Sequence, residues 1–238
     1  SIFFLTIASS LRHIWFHSSS WDLGIFEQAI YLISKGEEPI SSLLGFHILG
    51  DHGAIVLYPL AILYKILPST YFLFFLQSLA LSLSIYPLYK FSKKIKLNKN
   101  NLKASYFSFL FYPIIFNVNI FDFHPEVIVF PLVLELFISL KLVEKQTTWK
   151  LLTKILFILS CKITNSFLIL GIGIWLILKG AYKLGYLLIC FSVTWFITIG
   201  FLIIPYYGGE NASIFRQASK FGLNNNVEFD IISLTKVF

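Results

Sequence analysis

The chain has 238 residues, of which 57% are hydrophobic and 13% charged, and its mean hydropathy is +0.77. About a quarter of the residues of an ordinary soluble domain are charged, so this composition argues against a water-soluble protein. It predicts an all-α, polytopic integral membrane protein. The net charge of +7 does not indicate nucleic-acid binding, because most of the excess lysines lie in short segments between apolar runs.

The first residues predict the end of a membrane span. The apolar run in residues 1–8 is too short to cross a bilayer, and the chain does not begin with methionine. We therefore expect a chain cut inside its first span. An outer loop over residues 9–67 follows.

Two surface helices are predicted inside this outer loop. Trp21–Ser34 has the pattern of an amphipathic helix, and Ser19 with Asp22 three residues later forms a capping-box pattern at its start. Ala54–Leu67 is apolar but has only fourteen residues. That length favours a juxtamembrane or re-entrant helix over a membrane span.

The remaining apolar runs predict a bundle of membrane helices. Four runs are near the length that crosses a bilayer, and a fifth is broken at Lys162, which predicts two short helices with a turn between them. The predicted membrane helices are 71–89, 104–120, 127–143, 151–161, 164–178 and 184–205. Residues 208–238 are expected to start a truncated outer segment.

Lysine placement predicts the topology. Residues 90–103 contain six lysines and no acid, which indicates a cytoplasmic loop. The lysines between Lys141 and Lys154, and the pair Lys179 and Lys183, indicate two more. This arrangement predicts a multi-pass protein of the inner (plasma) membrane, with its histidines and loop carboxylates on the extracytoplasmic side.

Polar residues on this outer side are the candidates for a functional site. A carboxylate at a membrane surface can act as general base on an acceptor, and a lysine can neutralise a phosphate as a point charge. This chemistry fits a transferase that takes a sugar from a lipid-linked phosphate. The candidates are Asp22, Glu27, His47, Asp51, His52, Asp122, His124, Glu126, Lys162 and Arg216.

Several candidates also have a structural interpretation. Asp22 could cap the helix that follows it. The segment Asp122–Glu126 could be a solvated turn before a helix that begins at proline, since proline suits the first helical position. Lys162 could be an interfacial lysine whose ammonium reaches water.

The sequence indicates no certain cofactor and leaves a divalent metal ion open. The weak candidates for metal ligands are His47, Asp51 and His124. His13 and His17 lie four residues apart, but their place beside the first span is more typical of interfacial packing than of ligation.

Glu135 lies in the middle of the predicted span 127–143. A carboxylate inside a membrane helix indicates a functional or helix-pairing role. It favours the alternative function, a transporter or flippase of a lipid-linked or small polar substrate. A purely structural membrane subunit is a third interpretation, and it leaves the clustered acids and histidines unexplained.

Three parts of the chain resemble one family. Trp21–Ala29, His52 ahead of an apolar stretch, and Asp122–Glu126 with its Phe-His-Pro-Glu element resemble DUF2079, a family of bacterial and archaeal membrane proteins. That family is in turn similar to the GT-C membrane glycosyltransferases. The resemblance covers nearly the whole chain.

The resemblance implies a GT-C-like helix bundle with juxtamembrane helices in its first outer loop. It implies transfer of a sugar from a polyprenyl-phosphate donor to an acceptor on the extracytoplasmic side, with inversion at the anomeric carbon. Asp22 corresponds to the catalytic aspartate of that loop and would be the base, and Lys162 corresponds to a lysine that contacts the phosphate. The family often has acidic residues after that lysine, whereas this chain has Ile163, Thr164 and Asn165.

Overall fold

The computed structural model describes residues 1–141, 148–209 and 212. Regular structure in these residues is helical, and their one β-type contact is an isolated antiparallel bridge between Ile40 and His47. The prediction of an all-α protein is confirmed for the described part of the chain. The predicted outer segment 208–238 lies almost wholly outside the described residues, and so does Arg216.

Apolar and amphipathic runs produce a succession of short and medium helices. Three segments have other helical geometry: a π-helical turn at Ser20–Gly24, a 3-10 turn at Pro125–Val129 and a π-helical turn at Thr198–Ile203. The α-helices are α1 Ile2–Ile14, α2 Ile25–Lys35, α3 Leu49–His52, α4 Leu57–Tyr64, α5 Thr70–Leu83, α6 Ile85–Lys94, α7 Lys99–Leu110, α8 Pro113–Ile120, α9 Phe130–Lys141, α10 Thr148–Cys161, α11 Asn165–Leu178, α12 Tyr182–Ile197 and α13 Ile204–Gly208.

Two helical stretches in the described residues are long and apolar enough to cross a membrane. They are Thr70–Lys94, formed by α5 and α6, and Tyr182–Gly208, formed by α12, the second π-helical turn and α13. The helices Ile2–Ile14 and Asn165–Leu178 are apolar but shorter. The larger set of membrane spans expected from the sequence stays a prediction.

The run 104–120, predicted as one helix, is two helices in the structure. α7 ends at Leu110 and α8 begins at Pro113, with Tyr112 in an extended conformation between them. Proline cannot donate a hydrogen bond inside a helix, and it disfavours helical geometry in the residue before it. Pro113 therefore starts a new helix instead of continuing the first.

The predicted span 127–143 also differs at its start. Pro125 opens a 3-10 turn, and α9 begins only at Phe130. The predicted end at Val143 lies outside the described residues. α10 ends at Cys161 and α11 begins at Asn165, so Lys162 lies in the turn between these two helices.

The chain divides into two compact units. The first comprises Ser1–Glu37 and Val56–Cys161, and the second comprises Glu38–Ile55 and Lys162–Phe238. In the first unit, fully buried apolar side chains come from the segment predicted as the outer loop and from later parts of the chain. They include Ile30, Leu57, Leu73, Phe74, Phe123 and Leu136.

A buried polar network joins α1, α5 and α8 within the first unit. Asn119 has no exposed surface, and its amide nitrogen donates to the carbonyl of Leu5 at 2.8 Å and to Ser9 Oγ at 2.7 Å. Ser78 Oγ donates to Asn119 Oδ1 at 2.9 Å. Buried polar groups are costly unless they are hydrogen-bonded, so this network fixes how the three helices meet.

The second unit contains a close helical hairpin. α11 and α12 approach at two glycines: a Cβ atom on Gly173 would lie 3.0 Å from the Gly185 carbonyl oxygen, and one on Gly185 would lie 2.9 Å from the Gly173 carbonyl oxygen. Small residues at helix contacts let backbones approach closely in membranes. The pair of glycines explains why two strongly apolar helices pack tightly here.

Candidate functional site

In the segment predicted as the first outer loop, the helical region that begins at Ser20 has a cap that differs from a capping box. Ser19 is extended, and its Oγ accepts a hydrogen bond from the Trp21 N–H at 3.2 Å. In a capping box, the acidic side chain three residues later accepts the N–H of the cap residue. Here that N–H, from Ser19, donates to Asp122 Oδ2 at 2.8 Å. Asp22 is therefore not used as the reciprocal cap, and its side chain is one-third exposed.

Asp122 is buried and bonds both the Ser19 backbone and the end of α1. Its side chain is 2% exposed, and its Oδ1 lies 2.6 Å from Nη1 of Arg12, at the end of α1. Its φ angle of +95° is one that non-glycine residues rarely adopt. The next residue, Phe123, is also fully buried. The interpretation of this segment as a solvated turn is wrong for Asp122 and Phe123, although Pro125 does open a helical turn.

His124 faces the Asp22 carboxylate. Its Nε2 lies 3.5 Å from Asp22 Oδ1, and its backbone N–H donates to Gln77 Oε1 at 2.9 Å. The ring stacks on Phe121 with centroids 5.3 Å apart and meets the edge of Phe26 at 5.8 Å. The structure thus brings together Asp22 and the histidine of the Phe-His-Pro-Glu element.

Glu27, another candidate, lies in the first turn of α2. Its carboxylate makes hydrogen bonds outside the contact between Asp22 and His124. Its Oε1 accepts hydrogen bonds from Tyr64 OH at 3.2 Å and from the Thr70 hydroxyl. Burial, together with the nearby Glu27 carboxylate, raises the pKa of Tyr64 to about 12, so its phenol stays a donor at neutral pH. Glu27 therefore links α2 to α4 and to the start of α5.

Glu126 also lies in the first unit. It occupies the first turn of the 3-10 segment that begins at Pro125, and its side chain is partly buried. A carboxylate in the first turn of a helical segment is favoured by the backbone N–H groups there.

The second unit contains the other candidates. The His47 ring stacks on Tyr207 with centroids 4.2 Å apart, and its Nδ1 accepts the Leu49 N–H at 3.1 Å. Burial lowers the pKa of His47, partly offset by the Glu38 carboxylate. This imidazole is therefore used for packing and helix capping.

Asp51 and His52 lie at the end of α3 in the second unit. Asp51 is buried, and its carboxylate contacts the His52 ring. The His52 carbonyl accepts the Ile163 N–H at 3.2 Å, which ties α3 to the turn that carries Lys162.

No group of three or more His, Cys, Asp or Glu side chains in the described residues could hold a metal ion. The predicted ligands His47 and Asp51 belong to the second unit and His124 to the first. His13 packs its ring edge-on against Tyr71 and Phe74. The structure therefore assembles none of the metal sites suggested by the sequence in the part it describes.

Glu135 has a partner on the neighbouring helix. Its Oε1 lies 3.0 Å from Lys154 Nζ, which joins α9 to α10. Lys154 lies inside α10, which agrees with the predicted helix 151–161. The cytoplasmic location that the lysine pattern predicts for this end of the helix stays a prediction. Of the two roles that the sequence indicates for Glu135, the helix-pairing role is the one this contact supports.

We expect the Glu135–Lys154 pair to show energetic coupling. The single substitutions Glu135→Gln and Lys154→Gln should each destabilise the protein, and the double substitution should cost about 1 kcal/mol less than their sum. A double-mutant cycle of denaturant unfolding in detergent micelles measures this coupling. Additive effects would show that the contact contributes nothing to the packing of α9 on α10.

Two residues that hold the region around Asp122 and His124 are not among the candidates found in the sequence. Arg12 and Gln77 contact Asp122 and His124 from far away in the chain. The available signal for Gln77 is a single amide within an apolar span, since polar groups in membrane helices are rarely without a purpose. For Arg12 it is a lone arginine at the end of an apolar run.

Residues 12–235 match the model of the DUF2079 family, whose description is "predicted membrane protein". The chain belongs to the DUF2079 family. Comparisons with curated proteins and with solved structures give no match. The membership confirms the resemblance to DUF2079 found in the sequence and supports association with a membrane. The matched DUF2079 region contains both Asp22 and His124, and its first residue is Arg12.

Proposed function

We propose that the chain is a membrane glycosyltransferase of the GT-C type. It moves a sugar from a polyprenyl-phosphate donor to an acceptor on the extracytoplasmic side, with inversion. The observation that carries this proposal is the contact between Asp22 and His124, with Asp22 Oδ1 3.5 Å from His124 Nε2 and the Asp22 side chain one-third exposed. An accessible carboxylate held by a partly buried imidazole is a plausible general base.

The proposed reaction uses the groups of this contact. The acceptor hydroxyl attacks the anomeric carbon and gives its proton to the Asp22 carboxylate. The bond from that carbon to the phosphate oxygen breaks, and the electron pair leaves with the lipid phosphate. Attack from the face opposite the leaving phosphate inverts the anomeric centre.

The other candidates keep roles in substrate binding. A cation near the leaving phosphate stabilises its developing charge, and Lys162 is the residue we propose for this role. Glu27, Asp51, His52, Asp122, His124 and Glu126 are proposed to shape or support the binding site.

The helix Thr70–Lys94 supports an extracytoplasmic location for Asp22 and His124. Its 25 residues span about 36 Å, roughly the thickness of a bilayer. Thr70 at its start bonds Glu27 of the outer loop, and Lys93 and Lys94 lie at its other end. Because lysines are enriched on the cytoplasmic side, the Thr70 end is proposed to face outward.

The alternative function, a transporter or flippase, rests on Glu135 in a substrate pathway. The ion pair with Lys154 accounts for that carboxylate through helix packing. No other observation in the described residues favours transport over transfer.

A donor panel tests the proposed function. Membranes carrying the full chain are incubated with radiolabelled sugars linked to polyprenyl phosphates and, in parallel, with the same sugars linked to nucleoside diphosphates. We expect transfer from a lipid-linked donor only, and a product of inverted anomeric configuration. Transfer from nucleotide sugars, or no transfer across the panel with the protein folded, would contradict the proposal. Uptake of the lipid-linked donor into proteoliposomes without transfer would support the transporter instead.

A further inference from the structure

Gln77 is a polar side chain in an apolar helix. It lies on α5, inside the candidate span Thr70–Lys94, and it has no exposed surface. A buried amide without hydrogen bonds would cost several kcal/mol, so its partners indicate what it contributes. Within the described residues, the hydrogen bonds of its side chain go to one segment, residues 118–124.

The amide nitrogen of Gln77 caps the end of α8. It donates to the carbonyls of Val118 at 3.3 Å, Asn119 at 3.0 Å and Asp122 at 2.8 Å. The first two carbonyls belong to the last turn of α8, where carbonyl groups have no partner within the helix. Gln77 thus supplies donors that the helix end and the following turn lack.

The amide oxygen of Gln77 accepts the backbone N–H of His124 at 2.9 Å. The nitrogen end of the same amide meets only carbonyls, so the two ends of the side chain cannot be exchanged. Gln77 therefore holds Asp122 and His124, the residues on both sides of the buried Phe123. Asp122, one of the residues held by these hydrogen bonds, has the φ angle of +95°.

The hydrogen bonds of Gln77 fix the backbone of His124 and so determine where its ring points. With its backbone fixed, the ring lies between Phe121 and Phe26, and its Nε2 lies 3.5 Å from Asp22 Oδ1. A general base is effective only when its oxygen is held in the right direction, and a displacement of about 1 Å can cost about 100-fold in rate. The orientation of Asp22 thus depends on a residue of the membrane helix.

We infer that Gln77 is a positioning residue: from within the membrane helix it fixes His124, and His124 orients the Asp22 carboxylate. The inference deepens the proposed function and rests on it for the effect on transfer. In the reaction, the imidazole contacts Oδ1 of Asp22, so that Oδ2 is the atom that receives the acceptor proton. No proton passes through Gln77.

The first test measures the accessibility of His124 and needs no donor. The purified full chain is treated with diethyl pyrocarbonate, and modification of each histidine is followed by mass spectrometry. Losing a hydrogen bond of ordinary strength shifts a local opening equilibrium by about ten-fold. We expect Gln77→Leu to raise the rate at His124 by about that factor and to leave the exposed His17 unchanged.

Ser84→Ala is the matched control. Ser84 is also fully buried on this span, but its Oγ donates to the Ala80 carbonyl of its own helix at 3.1 Å. Its removal should leave the His124 rate at the wild-type value. An unchanged His124 rate in folded Gln77→Leu would overturn the inference. If that variant does not fold, Gln77→Asn decides in the same way, because its shorter side chain cannot reach both Asp122 and His124.

The second test separates positioning from general stability. In the transfer assay, Gln77→Asn should lower kcat by about 100-fold while the KM for the donor stays within about three-fold of wild type. An unchanged kcat, or a loss explained wholly by less folded protein, would overturn the positioning role. A wild-type protein without transfer would remove the proposed function, and the modification rates would still decide whether Gln77 holds His124.

Discussion

Replacing Asp22 with asparagine is expected to abolish sugar transfer and to leave the protein folded. A positioned general base contributes about 100-fold to 10,000-fold to a rate, and asparagine cannot accept the acceptor proton. The side chain is one-third exposed and caps no helix, so its exchange for an isostere should change the free energy of unfolding by less than about 1 kcal/mol. Initial rates with a lipid-linked donor, in membranes with equal amounts of folded protein, measure the loss.

Glu37→Gln is the matched control for Asp22→Asn. Glu37 is an exposed carboxylate just after α2, in the same predicted outer loop as Asp22, so it tests removal of one negative charge from that segment. We expect it to transfer at close to the wild-type rate. Transfer by Asp22→Asn within about two-fold of wild type would contradict the role of base, because general bases contribute far more than that.

The cap of the first surface helix shows what local sequence patterns can and cannot predict. The spacing of Ser19 and Asp22 correctly predicts a helix start with Ser19 as its cap. It also suggests that Asp22 accepts the Ser19 N–H, and this is wrong because Asp122, 103 residues later, takes that bond. A competing partner so distant in the chain leaves no mark on the local pattern.

The same limit explains why the sequence does not identify Arg12 and Gln77 as partners of Asp122. Both contact Asp122, at separations of 110 and 45 residues, and no local pattern relates them. Composition predicts a membrane protein, because the charged fraction of 13% is about half that of a soluble chain. The long apolar runs predict that its spans are helices. The division of 104–120 does have a local signal, because Pro113 lies inside the run and proline ends or kinks a helix.

Replacing Arg12 with alanine is expected to destabilise the fold strongly. Arg12 Nη1 lies 2.6 Å from Oδ1 of Asp122, whose side chain is 2% exposed. Removing one partner of a buried ion pair leaves the other charge uncompensated and costs about 3–5 kcal/mol. The Ser19 N–H still binds Oδ2, and Arg12 itself is partly exposed, so we expect a value near the lower end, about 3 kcal/mol. Denaturant unfolding in detergent micelles measures it.

Lys65→Ala and a double variant complete the experiment on Arg12. Lys65 is an exposed cation beyond α4, and its loss should cost less than about 0.5 kcal/mol. In Arg12→Ala/Asp122→Asn the buried charge is gone, while an asparagine oxygen can still accept the Ser19 N–H. We expect this double variant to be more stable than Arg12→Ala alone. Equal stability of the single and double variants would show that charge compensation by Arg12 is not what holds Asp122 in place. Recovery in the double variant would show that the end of α1 stabilises the turn before His124 through that charge.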